Sequence, residues 1–201
     1  GTPIIYSMIF SFTGAQSTGK TTLLNHLHKC NGDFPFEFVP EVTRLVMRDY
    51  QMPINENGGD LTQMLIMTEH VRNVYRNKAD HLIRGVHQIF DRCALDGIVY
   101  SLWLLDNNKI SKRCYDACDL IYEELKDKYD IIFYTSPDDV KLVNDGERSV
   151  DVKFRNDIIN TFNIFLDRGY DGKVVVLKGS VEERLETIKS TLAKRDIDIK
   201  I

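Results

Sequence analysis

The stretch from Gly14 to Thr21 constrains the fold of this chain more than any other. It reads GAQSTGKT, which matches the G-x-x-x-x-G-K-T pattern of a phosphate-binding P-loop. The run before it, Met8–Phe12, is apolar and typical of a buried strand, and Thr22–Leu27 has apolar residues at helical spacing. A glycine-rich turn without a ligand is the alternative. The order of strand, glycine loop and helix favours the P-loop, because the motif needs that context.

The chemistry of this loop follows from its glycines and from the helix after it. Glycine lets the backbone curl so that successive N–H groups point at phosphate oxygens, and the helix start adds the positive end of a dipole. Lys20 is expected to reach the β- and γ-phosphates of ATP, and the Thr21 hydroxyl to bind Mg²⁺. The predicted nucleotide-binding residues are Gly14, Ala15, Gln16, Ser17, Thr18, Gly19, Lys20, Thr21 and Thr22.

Apolar and amphipathic segments alternate along the whole chain. Strands are predicted at residues 8–12, 36–39, 86–90, 130–135 and 173–177. Besides the helix after the P-loop, helices are predicted at residues 43–49, 61–79, 95–105, 111–128, 151–167 and 181–193. Strands that alternate with helices predict an α/β protein with the three-layer P-loop NTPase fold, in which a five-stranded parallel sheet carries helices on both faces.

Two helices have recognisable features of their own. Asp60 is expected to cap the long helix at 61–79, and Ser180 the last helix. The buried stripe of the long helix is predicted to be Leu61, Met64, Leu65, Val71, Val74 and Tyr75. His70 is then expected at the surface, whereas His87 and Trp103 are expected in the interior.

The length and composition fit one domain. A chain of 201 residues, 43% of them hydrophobic, can bury a full α/β core, and we assign the domain to residues 8–193. Residues 1–7, which precede Met8, are either a cloning remnant or an extension of the first strand. Residues 194–201 alternate isoleucine with charged residues and form either a short edge strand or a frayed tail.

Charge and cysteine content exclude several classes of protein. The net charge of −4 argues against a strongly basic nucleic-acid-binding protein, although it is compatible with a local basic groove. No apolar run approaches the length of a membrane span. The four cysteines form no C-x-x-C pair and no zinc-ligand set, which predicts reduced thiols in a cytoplasmic protein.

Two carboxylates follow predicted strands, at the edge of the sheet where ligands bind in α/β proteins. Asp91 ends the third strand, where it is expected either to bind Mg²⁺ or to act as the base for an acceptor hydroxyl. Its structural alternative is a helix N-cap. Glu41 follows the second strand and is a second candidate base. An ion pair with Arg44 at the start of a helix is the alternative for Glu41.

Five arginines are candidates to bind or stabilise negative charge. Arg92, directly after Asp91, is expected to bind an acceptor phosphate or to stabilise the transferring group. Arg44 and Arg48 lie one helical turn apart and share a helix face. Their spacing is equally compatible with binding of an anionic acceptor and with a solvated helix surface. The remaining two, Arg148 and Arg155, belong to a polar loop at about residues 136–155 that is interpreted as a mobile lid, or else as a plain surface loop.

Four segments together resemble a known family: GAQSTGKTTLL, FVPEVTR, YDIIFYTSPDDVKLVNDGERS and KGSVEERLETI. They are similar to the P-loop kinases typified by the ribosylnicotinamide kinase domain of NadR-type proteins, over Met8 to about Ala193. The resemblance implies a nucleoside- or nucleotide-kinase-like fold that transfers the γ-phosphate of ATP to a hydroxyl. At Asp91–Arg92 the chain departs from the Asp-Thr-Asp-like segment of NadR-type domains and looks more like thymidylate and deoxynucleoside kinases, which favours a pyrimidine-type acceptor. Short members of the family also resemble phage kinases that phosphorylate 5-hydroxymethyluracil within DNA.

Three functional hypotheses follow. The first is a Mg·ATP-dependent kinase acting on a hydroxyl of a nucleoside-type acceptor, which is a 5-hydroxymethyl pyrimidine nucleotide, the same group within DNA, or a nucleoside similar to nicotinamide riboside. The second is a nucleoside monophosphate kinase in which Arg92 and Arg44 hold the acceptor phosphate. The third is a regulatory nucleotide-binding module or slow ATPase. The carboxylates and arginines around the cleft favour the kinases, because a switch needs fewer of them.

Overall fold

The computed structural model describes residues 7–138, 140, 149–170 and 173–201, with only the main chain described at residues 76–84 and 149–150. Within these residues the strands are β1 (Ile9–Thr13), β2 (Phe36–Val39), β3 (His87–Asp91), β4 (Ile131–Thr135) and β5 (Val174–Leu177). The helices are α1 (Lys20–Cys30), α2 (Val42–Tyr50), α3 (Asp60–Arg84), α4 (Ala94–Asp106), α5 (Lys112–Leu125), α6 (Ser149–Asp167) and α7 (Val181–Ala193). Short 3₁₀ turns occupy Asn55–Asn57 and Lys126–Lys128.

The five strands form one parallel sheet in the order β2-β3-β1-β4-β5, which confirms the predicted fold. Alternate residues of a strand point to opposite faces of the sheet, and the core divides accordingly. Ile132 of β4 packs in a cluster with α4, α5 and α6. Phe133, the next residue, packs in a second cluster with α1 and α7. Both faces of the sheet are therefore covered, and the nearly continuous apolar sequence of β4 is the consequence.

The sheet order places the P-loop at the point where the strand order reverses. β1 lies between β3 and β4, and the P-loop leaves its carboxyl end. In parallel α/β sheets this crevice binds ligands. Asp91 is the last residue of β3, and Glu41 comes two residues after β2 ends. The expected convergence of the P-loop and the two carboxylates at one edge of the sheet is thus confirmed.

The ends of two helices test the predicted caps. Ser180 caps α7 in a capping box with Glu183, as predicted. The prediction that Asp60 caps α3 was wrong, because Asp60 is the first residue of the helix. Its carboxylate instead accepts hydrogen bonds from the Ser111 N–H at 2.8 Å and the Ser111 hydroxyl at 2.9 Å. Asp60 therefore joins the start of α3 to Ser111, which is itself the N-cap of α5.

The buried stripe predicted for α3 was partly wrong. Val74 is buried, and Met64, Leu65 and Val71 pack partly buried on the core, as predicted. Leu61 and Tyr75 are exposed, however, and the buried face also carries Thr62, Gln63, Ile66, Met67, Glu69 and His70. This face turns toward α2, α4 and α5, and α3 contacts all three helices. The buried face carries both polar and apolar side chains, because it lines a polar pocket as well as the core. The spacing of apolar residues alone therefore did not identify its polar members.

The tail is neither frayed nor part of the sheet. Ile197 and Ile199 are buried in the cluster formed by α1 and α7. The Asn31 side chain donates to the Lys200 carbonyl at 2.7 Å and accepts from the Lys200 N–H at 2.9 Å. Of residues 1–7 only Ser7 is described, so the two interpretations of that segment fall outside the described residues. Within the described part of the chain, no helix is long and apolar enough to cross a membrane.

Candidate active site

The P-loop is held in an inward-curled conformation by its neighbours. Ser17 and Gly19 have φ values of 61° and 90°, and α1 begins directly after Gly19. The Thr18 hydroxyl donates to the Ala15 carbonyl at 2.7 Å and lies 2.8 Å from the Thr135 hydroxyl of β4. Gly14 has a φ of 152°, and a Cβ there would lie 2.2 Å from the Thr135 hydroxyl oxygen. A larger residue fits this position only if Thr135 or the loop moves.

A cavity of about 290 Å³ lies over the loop, and we call it the P-loop cavity. It is lined by Ala15, Gln16, Ser17, Thr18, Gly19, Lys20, Thr21, Thr22, Glu41, Arg44 and Arg92. Eight of these are the consecutive loop residues, whose amides and side chains form one wall. The cavity therefore combines a curled backbone, a helix start and several cationic groups, which is the chemistry that binds phosphate.

Lys20 and Asp91 are paired. The Lys20 ammonium is buried and donates to the Asp91 carboxylate. The alternative of Asp91 as a helix N-cap is wrong, because Cys93 occupies that position in α4. Within the described residues, no group of three or more His, Cys, Asp or Glu could hold a metal by itself. One hydroxyl from Thr21 and one carboxylate from Asp91 still fit Mg²⁺, which takes oxygen ligands and retains water and nucleotide phosphates.

Glu41 lies among cationic and hydrogen-bonding groups. Its carboxylate accepts from the Thr43 hydroxyl and lies 3.2 Å from Arg92 Nε and 3.8 Å from Arg44 Nε. Burial by itself raises the pKa of the Glu41 carboxyl. Arg92 and the Thr43 hydrogen bond oppose burial, Lys20 and Arg44 add to them, and the resulting pKa lies below the usual value. Glu41 is therefore a carboxylate at neutral pH.

Arg92 is built into a buried network. Its backbone has a φ of 71°, and its Nη1 donates to the Gly14 carbonyl at 2.9 Å and to Asp96 at 2.8 Å. Asp96 also accepts from the Thr13 hydroxyl at 2.6 Å and from the Cys93 N–H at 2.9 Å. Asp96 was not among the site residues predicted from the sequence. The three-residue spacing between Cys93 and Asp96 is that of a capping box, but cysteine rarely takes the N-cap position, so this signal was easily overlooked.

A second cavity lies among α2, α3 and α4, and we call it the inner pocket. It is lined by Glu41, Val42, Thr43, Asn55, Gln63, Ile66, His70, Arg92, Asp96, Gly97 and Tyr100. Glu41 and Arg92 also line the P-loop cavity, so the two cavities adjoin at this pair. The inner pocket has a volume of about 20 Å³ in this conformation, enough for about one water molecule. A larger ligand therefore requires its walls to move apart.

His70 corrects an expectation from the sequence. It was expected at the surface, but it is 4% exposed and lines the inner pocket. Burial lowers the pKa of His70 to about 4, with Arg92 acting in the same direction and Glu41 opposing it. The imidazole is therefore neutral at pH 7 and can both donate and accept a hydrogen bond. Its spacing of seven from Gln63 and four from Ile66 is the helical signal that could have identified this face.

Some of the arginines predicted for the site line one of the two cavities, and others do not. Arg44 is exposed but lines the P-loop cavity. Arg48 lines neither cavity and pairs with Asp49 at 2.8 Å. Arg155 is 1% exposed within α6 and also lines neither cavity. Nine residues of the expected lid, 139 and 141–148, lie outside the described residues, and Arg148 is one of them. The structure therefore brings Arg44 and Arg92 to the candidate site, but not Arg48 or Arg155.

Solved structures with the same fold include several kinases. NadR protein in complex with NR has a TM-score of 0.68 and 16% identity, over 98% of this chain and 53% of that one. Deoxyadenosine kinase from M. mycoides has a TM-score of 0.63 and 17% identity, over 93% and 100%. Thymidylate kinase from Candida albicans has a TM-score of 0.66 and 15% identity, over 97% of both chains. The chain spans about half the length of the NadR protein.

These TM-scores establish the fold, which is that of nucleoside- and nucleotide-kinase-like P-loop proteins, and they agree with the resemblance to the NadR type. No curated protein matches the sequence significantly. A family model described as an AAA domain matches residues 9–184. That match covers the P-loop, all five strands and both carboxylates of the site. The chain therefore belongs to this AAA domain family.

Proposed function

We propose that this protein is a Mg·ATP-dependent kinase that transfers the γ-phosphate to a hydroxyl of a nucleoside-type acceptor. The observation that carries the proposal is the junction of the two cavities at Glu41 and Arg92. A phosphate-binding loop lies on one side of this pair and a pocket of different chemistry on the other. A kinase needs this arrangement, because the donor phosphate and the acceptor hydroxyl must meet at one point.

The donor side is assigned to the P-loop cavity. The loop amides and Lys20 bind the phosphates, and Lys20 leaves Asp91 when it does so. Asp91 and the Thr21 hydroxyl would then hold Mg²⁺, which supplies positive charge to the β- and γ-phosphate oxygens. Arg44 adds a further cation at the exposed wall of the cavity. Arg148 is proposed, on the sequence alone, as an arginine of a lid that stabilises the charge of the transferring group.

Glu41 is proposed as the proton acceptor. It lines both cavities and is ionised, whereas Asp91 is paired with Lys20. As the acceptor oxygen bonds to the γ-phosphorus, its proton passes to Glu41, and the bond between the γ-phosphorus and the β,γ-bridging oxygen breaks to leave ADP. Arg92, 3.2 Å from Glu41, places positive charge beside the reacting oxygens.

The inner pocket is proposed to hold the acceptor. Tyr100 and Ile66 supply apolar surface, and Gln63, Asn55 and neutral His70 supply uncharged hydrogen-bonding groups. This combination suits a nucleobase, which presents an apolar face and a polar edge. The Asp91–Arg92 pair favours a pyrimidine-type base. The acceptors proposed are a 5-hydroxymethyl pyrimidine nucleotide, the same group within DNA as in phage DNA modification, and a nucleoside similar to nicotinamide riboside.

An acceptor panel tests this proposal. Radiolabelled ATP and Mg²⁺ are supplied with thymidine, deoxycytidine, nicotinamide riboside, 5-hydroxymethyluracil DNA, dTMP and dUMP. We expect transfer to the hydroxyl of at least one acceptor other than dTMP and dUMP. Lys20→Ala should lower the rate about 100-fold or more while the circular dichroism spectrum stays unchanged, because the phosphate-binding ammonium is lost. Transfer that survives this substitution would contradict the assignment of the P-loop cavity.

A monophosphate kinase is the second candidate. Arg44 is exposed at the P-loop cavity next to Glu41 and Arg92, where its guanidinium could bind an acceptor phosphate. Transfer to dTMP or dUMP, and to no other member of the panel, would support this candidate against the first. ATP hydrolysis, or tight retention of the nucleotide, without any transfer would instead support a regulatory nucleotide-binding module.

A cytoplasmic location is also proposed. The four cysteines are free thiols, which supports this location.

A further inference from the structure

Arg184 of α7 joins three loops through main-chain carbonyls. It is 3% exposed. Its Nη1 donates to the Thr18 carbonyl at 2.8 Å, and its Nε donates to the Gly179 carbonyl at 3.1 Å. Its Nη2 donates to the carbonyls of Ser136 at 2.9 Å and Asp138 at 3.3 Å. The three loops are the P-loop, the segment that follows β4 and the turn between β5 and α7.

The chemistry of this position requires an arginine. A guanidinium presents five N–H donors in a rigid plane, so it can serve acceptors on several sides at once. A lysine ammonium at the same place has three donors around one atom and cannot span these carbonyls. The first turn of α7 fixes the position of Arg184, because its own N–H donates to the carbonyl of the N-cap Ser180 at 2.9 Å. The guanidinium is thus presented to the P-loop from a rigid helix start.

The contact with Thr18 determines how the next amide points. A trans peptide is planar, so the C=O of Thr18 and the N–H of Gly19 point in opposite directions. Arg184 does not line the P-loop cavity, so the Thr18 carbonyl that accepts its hydrogen bond points away from that cavity. The Gly19 N–H therefore points to the inner side, toward the P-loop cavity. This orientation needs support, because glycine has a wide choice of backbone angles, and Gly19 here has a φ of 90°.

We infer that Arg184 is a positioning residue for the nucleotide: it locks the Thr18–Gly19 peptide so that the Gly19 amide faces the phosphates, and it ties this loop to the segment after β4. The inference rests on the proposed binding of nucleotide at the P-loop. It extends that proposal to a residue 164 positions along the chain from Lys20, outside the lining of either cavity.

Nucleotide affinity in matched variants tests the inference. Mg·ADP binding is measured by calorimetry for wild type, Arg184→Ala, Arg184→Lys and Leu185→Ala, at a temperature where each is folded by circular dichroism. Leu185 is the next residue, is buried and packs in the core, so its truncation costs stability without touching the loop. We expect Arg184→Ala to weaken Mg·ADP binding about 10- to 100-fold, because the charge-assisted hydrogen bond to the Thr18 carbonyl is lost. Leu185→Ala should stay within about threefold of wild type, because it leaves that bond in place.

Two further readouts separate positioning from general stability. Guanidinium ion at low millimolar concentration should restore part of the binding of Arg184→Ala and none of that of Leu185→Ala. The Gly19 amide resonance, observed with ¹⁵N-glycine, should move on addition of Mg·ADP in wild type and less in Arg184→Lys. If Arg184→Ala does not fold, Arg184→Lys decides the matter, and equal affinity of that variant and wild type overturns the inference. Wild type that binds no Mg·ADP overturns the proposed function instead, and the inference with it.

Discussion

At the scale of single residues, the surroundings of Glu41 and His70 favour opposite charge states, the ionised form of Glu41 and the neutral form of His70. Glu41 is surrounded by Arg92, Arg44, Lys20 and the Thr43 hydroxyl, which together outweigh its burial and keep it charged. In the same pocket, the environment of His70 keeps the imidazole neutral. One pocket thus holds a carboxylate able to take a proton and a neutral ring able to hydrogen-bond a ligand.

The role of Glu41 predicts the effect of removing its charge. Glu41→Gln keeps the shape of the side chain but cannot take a proton, so kcat should fall about 10²- to 10⁴-fold. KM for ATP should change little, because the loop amides and Lys20 bind the phosphates. Steady-state kinetics with the acceptor found in the panel measure both quantities. Glu182→Gln, at an exposed position of α7, is the control, and a Glu41→Gln enzyme as fast as that control would exclude Glu41 as the base.

His70 predicts a particular pH dependence of stability. Its pKa is about 4 in the folded protein and about 6.5 when exposed, so the unfolded chain binds a proton between these values and the folded chain does not. The His70 contribution to the free energy of unfolding should therefore fall as pH is lowered from about 6.5 to about 4, by about 3 kcal/mol at most.

Urea unfolding of wild type and His70→Gln at several pH values measures this contribution. Glutamine does not titrate, so the difference between the two proteins should change in favour of the variant as pH falls. Glu41 does not interfere, because its lowered pKa makes its stabilising charge disappear only below the usual range of a glutamate. A difference that stays constant from pH 7 to pH 4.5 would mean that His70 is accessible to protons in the folded state.

At the scale of elements, the junction between β1 and α1 depends on β4. Thr135, the last residue of β4, contacts Thr18 through its hydroxyl and lies close behind Gly14. Gly14→Ala would place a methyl group 2.2 Å from that hydroxyl oxygen, so either Thr135 rotates and loses Thr18 or the loop shifts. We expect a loss of about 1–3 kcal/mol in the free energy of unfolding, and at least tenfold weaker binding of Mg·ADP by calorimetry.

A matched glycine provides the control for that prediction. Gly59 precedes α3, and a Cβ added there meets nothing within 4 Å. Gly59→Ala should therefore leave the affinity for Mg·ADP unchanged within error, and it should lower the free energy of unfolding by no more than about 1 kcal/mol, the cost of alanine at the N-cap of α3. Equal behaviour of the two alanine variants would show that the P-loop does not depend on the close approach of Gly14 to β4.

The elements themselves were largely predictable because each carries its own signal. The apolar run of β4, the glycines of the P-loop and the capping box at Ser180 act over a few residues, and short-range chemistry determines them. The orientation of α3 was not predictable in this way. Its buried face carries Gln63 and His70, and polar residues become buried only when another helix supplies partners, as Ser101 of α4 does for Gln63 at 2.8 Å.

At the scale of the whole molecule, the parallel sheet brings together residues that are far apart in the sequence. Glu41 and Asp91 could be assigned to one edge because both follow strands, and the carboxyl ends of parallel strands meet there. Arg184 could not be assigned, because it acts from a helix start on a loop near the other end of the chain. Contacts of this kind depend on the packing of α7 beside α1, which no local pattern encodes.

The C-terminal tail, residues 194–201, is a second case in which residues far apart in the sequence pack together. Ile199 is 1% exposed among residues of α1 and α7, whereas Ile201 is 40% exposed. Ile199→Ala should lower the free energy of unfolding by about 2–4 kcal/mol, because a buried side chain is replaced by a cavity. Ile201→Ala should cost no more than about 0.5 kcal/mol. Urea unfolding measures both. If the two variants unfold alike, the tail does not contribute to the core, and the helix that begins at the P-loop is stabilised without it.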